Sequence, residues 1–133
     1  MSNFCRTCNE FAAILGGNIL SRDNDVCTVM FMRNIRAEIL GRVTQSPLAL
    51  PAMFSFECPD CNGRTLNLGE TVILQDEINN FITELRRRGI LVTAFHNHWL
   101  CENPRLMYIH FQSIDRPLDF ARKVAEAFKV LRR

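Results

Sequence analysis

A chain of 133 residues with 47% hydrophobic and 23% charged side chains fits one globular domain that needs no partner domain to bury its core. Sixteen basic against fourteen acidic side chains leave +2, too little to demand a phosphate backbone as partner. The longest apolar stretches fall far short of the ~20 residues of a membrane-spanning helix, and Met1 to Glu10 has no basic segment followed by an apolar one. The expectation is a cytoplasmic protein with no membrane or nucleic-acid partner.

The first helix is expected from Thr7 to Leu15. Thr7 and Glu10 have capping-box spacing, Phe11, Ile14 and Leu15 share a face, and Gly16-Gly17 ends it. Val26 to Met32 and Ala37 to Val43 are apolar, rich in β-branched residues and bounded by turn formers, so each reads as a strand. Ser46-Pro47 and Pro51 make Gln45 to Pro51 a loop, and Ala52 to Glu57 and Thr71 to Leu74 add two strands. From Gln75 to Arg88, Ile78, Phe81, Ile82 and Leu85 repeat at helical spacing, with Asp76 and Glu77 in the first turn and Gly89 past the end. The basic run Arg86 to Arg88 then meets the negative end of the helix dipole and needs no anionic partner.

A hairpin follows over residues 91–111, and a last helix over 116–131 opens on Asp115 as N-cap and Pro117 in the first turn. The predicted strands therefore span about residues 26–74 and 91–111 of a single domain, 1–133. Strands, helix, strand, strand and helix in that order give an α+β fold, an antiparallel or mixed sheet with helices on one face. A ferredoxin-like arrangement is compatible with this order, as is a homodimer.

Within the hairpin, Leu91, Phe95 and Trp99 on the outgoing strand and Met107, Ile109 and Phe111 on the returning one are odd-numbered and apolar. Burying both sets together requires an odd loop length, because a one-residue slip would turn one strand over. A three-residue loop of Glu102, Asn103 and Pro104 sets His110 directly opposite His96, with His96, His98 and His110 on the face away from the core. Asn97 then points into the opposite layer. Residues two apart on a strand are about 6.5 Å apart and opposed Cβ atoms about 5 Å, so the three imidazoles can converge. Three protein ligands with a position left for water suit catalytic zinc, and the same set suits iron, copper or nickel. Tyr108 on that face is a candidate proton donor, and Glu70, Glu77 and Glu102 are candidate fourth ligands or bases. A small-molecule substrate or ligand is implied.

Cys5 with Cys8 and Cys58 with Cys61 form two Cys-x-x-Cys pairs. Cys58-Pro-Asp-Cys-Asn-Gly63 resembles a zinc knuckle, and Cys5 and Cys8 at a helix start would complete a structural four-cysteine zinc site. Zinc outranks disulfides in a reducing compartment, while Cys27 reads as a small core residue.

The stretch Gly89-Ile-Leu-Val-Thr-Ala-Phe-His-Asn-His-Trp-Leu100, with Asn103-Pro-Arg-Leu and Tyr108-Ile-His-Phe111, resembles the signature of the LppY/LpqO family. Glu77-Ile-Asn-Asn, Leu15-Gly-Gly17, Ile39-Leu-Gly41 and Leu118-Asp-Phe-Ala121 extend the likeness over most of the chain. The resemblance implies that His96, Asn97, His98 and His110 are site residues; the family is one of unknown function. Many of its members are longer, exported and lipid-anchored, and Trp99 stands where the family has methionine.

Overall fold

The computed structural model describes residues 2–131. Helix α1 (Asn3–Leu15) is followed by strands β1 (Asn18–Ser21), β2 (Cys27–Met32), β3 (Ala37–Ile39), β4 (Arg42–Thr44), β5 (Pro51–Glu57) and β6 (Thr65–Leu74). Then come α2 (Ile78–Arg87), β7 (Leu91–His96), β8 (Glu102–Asn103), β9 (Leu106–Asp115) and α3 (Pro117–Ala127). Six strands form one antiparallel sheet in the order β1-β2-β5-β6-β9-β7, and β4-β3-β8 make a small second sheet. Because β9 pairs antiparallel with both β6 and β7, those two run parallel, joined by α2: a split βαβ unit. The fourth place in a ferredoxin-like sheet is taken by β5, which precedes this unit rather than following it.

The α+β expectation holds, with several corrected boundaries. Helix α1 starts four residues before Thr7, because the Ser2 hydroxyl accepts from the Cys5 amide and serves as the cap. Ala37 to Val43 is not one strand. Leu40 and Gly41, at φ 52° and 77°, form a tight turn of the kind whose two central residues both need positive φ, and they fold the segment into the β3–β4 hairpin. Strand β6 begins at Thr65 rather than Thr71, since it runs the full length of β9.

One face of the large sheet carries all three helices. Phe11 on α1, Phe81 on α2, Phe120 on α3, Phe54 on β5 and Phe111 on β9 are fully buried there, each with aromatic neighbours at ring-centroid distances between 4.9 and 6.4 Å. Gly69 on β6 lies opposite Phe111, and a Cβ at that position would come within 2.2 Å of the Phe111 ring. Its missing side chain is what lets the ring lie on the sheet. The opposite face is only partly covered. Ile35, Ala37, Ala49 and Leu50 pack on Val72, Leu106 and Tyr108, while the sheet beyond them is open.

The buried pair of Arg33 and Glu77 ties this second layer to the start of α2. Both side chains are almost wholly buried, the guanidinium meets the carboxylate with two contacts of 3.0 and 2.9 Å, and it also donates to the Val72 carbonyl. The Leu74 amide donates to the same carboxylate at 2.9 Å. Glu77 is thereby committed to structure, which removes it as a metal ligand or base. Removing one partner of a buried ion pair leaves the other charged and uncompensated, so Glu77→Ala should lose about 3–5 kcal/mol of stability. Urea unfolding monitored by circular dichroism tests this; a loss below about 1 kcal/mol would show the pair to be dispensable.

Candidate functional site

The hairpin register differs from the expected one in a way that matters for the histidines. A bulge between Val92 and Ala94 reverses the alternation, so Val92 packs against the core and Leu91 is exposed. Past the bulge, Ala94 pairs with His110, Phe95 with Ile109 and His96 with Tyr108. His96 is therefore diagonal to His110, not opposite it. The expected three-residue turn is absent: the chain leaves the sheet after His96, and Glu102–Asn103 pairs with β3 before β9 begins. Asn97 is exposed rather than inserted in another layer, and its side chain donates to the Trp99 carbonyl.

The three histidines nevertheless converge. Ring centroids are 4.7 Å apart for His96 and His98 and 4.9 Å for His96 and His110, and one ligand atom from each lies within 4.8 Å of the others. Bonds of about 2.0–2.1 Å to zinc place two nitrogens at most ~4.2 Å apart, so small ring rotations close the set on one ion. His96 and His98 are exposed and His110 is half-buried.

His98 reaches the cluster from outside the strands, and Trp99 explains how. The Trp99 indole is half-buried against the second layer and its Nε1 donates to the Tyr108 hydroxyl at 2.9 Å. That anchor turns residues 97–100 back over the sheet and lays the His98 ring on the Tyr108 ring, 4.3 Å between centroids. Tyr108 in turn donates to the Ala49 carbonyl at 2.7 Å. Its hydroxyl is thus engaged away from the imidazoles, and burial above all raises its pKa and keeps it neutral. Tyr108 meets the cluster through its ring.

Glu70 is the one carboxylate of the three candidates that the fold brings to the histidines. It is the cross-strand partner of His110, and its Oε2 lies 3.2 Å from His110 Nδ1. Glu102 instead pairs with Arg105 at 3.0 Å. With Nδ1 facing Glu70, His110 is left with Nε2, which is buried and has no hydrogen-bond partner among the described residues. A buried nitrogen without a partner costs free energy unless something fills its lone pair. His98 has its pKa lowered, first by burial and then by the neighbouring His96 and His110, with Glu70 opposing; the neutral form it favours is the metal-binding form.

The cysteines do not form the expected four-cysteine zinc site. Cys8 on α1 is bonded to Cys27 on β2 in a disulfide buried in the core, while Cys58 and Cys61 are exposed and Cys5 is half-buried, all three free. The reason is topological: α1 packs its Cys8 face on β2, so the thiol at position 8 meets Cys27 and not the loop after β5. Cys27, read as a small core residue, is a core residue with a covalent partner.

Among the described residues the only grouping of three or more such side chains able to hold a metal is His96, His98 and His110. Fold and cluster together define an α+β protein that presents a three-histidine site on the uncovered face of its sheet. The chain belongs to the family described as Domain of Unknown Function (DUF1259), whose model matches residues 9–130. No curated protein and no solved structure matches it.

Alkylation of the denatured, unreduced protein followed by mass spectrometry should label four of the six cysteines and leave Cys8 and Cys27 linked. Labelling of all six would overturn the pairing.

Proposed function

We propose that the protein binds one divalent transition-metal ion, zinc foremost, through His96, His98 and His110, and uses it as a metal-dependent enzyme acting on a small molecule. The observation that carries this is the division of labour on His110: one ring nitrogen held by Glu70, the other buried and unpartnered in a cluster of imidazoles. A carboxylate behind a ligating histidine fixes its tautomer and orientation and raises its basicity. Glu70 is placed to do this. The LppY/LpqO resemblance supports the same three histidines as site residues, though it brings no reaction with it.

Three protein ligands leave a coordination position on a tetrahedral ion, and the exposure of His96 and His98 leaves that position accessible, which favours an enzyme over a closed, non-catalytic binding module. When bound, such an ion would acidify a water and polarise an oxygen of the substrate. The residues of this chain hold and orient: His96 from the end of β7, His98 from the loop that follows it, His110 from β9, and Tyr108 as the surface against which His98 is set. The disulfide favours an oxidising compartment over the expected cytoplasmic setting. A buried disulfide between α1 and β2 belongs to an oxidising compartment, since cytosolic thiols are kept reduced. No described helix is long and apolar enough to cross a membrane.

Calorimetric titration with zinc or cobalt should show one equivalent bound. Any of His96→Ala, His98→Ala or His110→Ala should abolish tight binding, and Glu70→Ala should weaken it about 10–100-fold. Because the ligands must be neutral, affinity should fall as the pH drops through the histidine range. Unchanged affinity in His96→Ala would refute the site, and unchanged affinity in Glu70→Ala would remove Glu70 from it.

A further inference from the structure

The uncovered sheet face continues from the histidines into a groove whose floor is set by strand register. Cross-strand partners place Met30, Met53, Glu70 and His110 in one row across β2, β5, β6 and β9. The neighbouring row is Thr28, Ser55, Leu68 and Gln112. Between them lies a cavity of about 300 Å³, lined by Thr28, Met53, Ser55 and Leu68 and closed at the metal end by Glu70 and His110. This is at the small end for small-molecule sites. The second layer stops short of it, since Ile35, Ala49 and Leu50 cover only the Val72–Tyr108 end of the sheet.

We infer that this groove receives the apolar body of a small carboxylate whose charged end binds the metal, so that Met53 and Leu68 determine specificity. The inference rests on the metal reading above. A divalent ion held by three neutral imidazoles beside one carboxylate, Glu70, leaves a net positive site, which selects an anionic head. The remainder of the lining carries no charge: two hydroxyls, a glycine, a phenylalanine, a leucine and a methionine, the last a flexible side chain that adapts to varied apolar shapes. Leu68 is 40% exposed, an apolar surface in the groove wall that a ligand body would cover. His110 and Glu70 belong both to the groove and to the histidine cluster, so the groove begins beside the ligand set, next to Met53 and Leu68.

The cobalt-loaded full chain tests this, with acetate and hexanoate as probes and the visible cobalt spectrum as readout. Hexanoate should perturb the spectrum at concentrations on the order of ten-fold or more below acetate, the gain expected if two or more methylenes are buried. Leu68→Asn and Met53→Gln should erase that preference while leaving cobalt affinity and the acetate response as in the unaltered protein. Equal responses to acetate and hexanoate, or a preference that survives both substitutions, would overturn the groove and leave the metal site standing. Failure to take up cobalt at all would instead bring down the metal reading, and this inference with it.

Discussion

The register between β6 and β9 is the constraint on which the site depends. Ten consecutive cross-strand pairs, from Thr65 with Asp115 to Leu74 with Leu106, lock the two longest strands together in the interior of the sheet. That single alignment sets Glu70 beside His110, Val72 beside Tyr108 and Gly69 beneath Phe111. A slip by one residue would turn His110 into the helix-side core and bring Phe111 to the open face. The Phe111 ring, fully enclosed by Phe54, Phe81 and Phe120 and seated on a glycine, makes such a slip costly. Core packing on one face thus fixes ligand geometry on the other.

The second layer completes the arrangement in a different way. β9 is buried on both faces near its start, where Ile109 looks toward the helices and Leu106 and Tyr108 toward the small sheet. The Tyr108 hydroxyl joins two segments remote in sequence, the Ala49 carbonyl and the Trp99 indole. His98 has no strand to hold it, so its place is inherited from Trp99 and from the ring of Tyr108. The metal reading therefore draws on three kinds of support: strand pairing for His96, a carboxylate for His110, and an anchored loop for His98.

Much of this was legible in the sequence, for local reasons. The helical spacing of Ile78, Phe81, Ile82 and Leu85 and the apolar alternation of Met107, Ile109 and Phe111 report burial directly, and the structure places Phe81, Leu85, Ile109 and Phe111 in the core. The convergence of the three histidines also followed from alternation, although through the wrong register. The bulge before Ala94 has no sequence signal, and the one turn signal in the excursion from Asn97 to Arg105 lies at Asn103-Pro104, so alternation alone points to a short loop there and the tertiary structure replaces it. Trp99, which alternation assigns to the core face of the strand, serves instead as the anchor of that excursion.

Apart from the short strands β1 and β8 and the division of residues 37–43 into β3 and β4, the local sequence specifies the helices, the longer strands, the α+β class and the gathering of every histidine of the chain in one short segment. Those are properties of periodicity, which neighbouring residues decide among themselves. Which distant groups meet is settled by three-dimensional packing: Glu70 rather than Glu77 or Glu102 at His110, Cys27 rather than Cys58 or Cys61 at Cys8, and Arg33 at Glu77. Carboxylates and thiols look alike in a sequence. Their partners are chosen by the order in which strands join a sheet and by which helix face packs on it, and that choice minimises the free energy of the whole core.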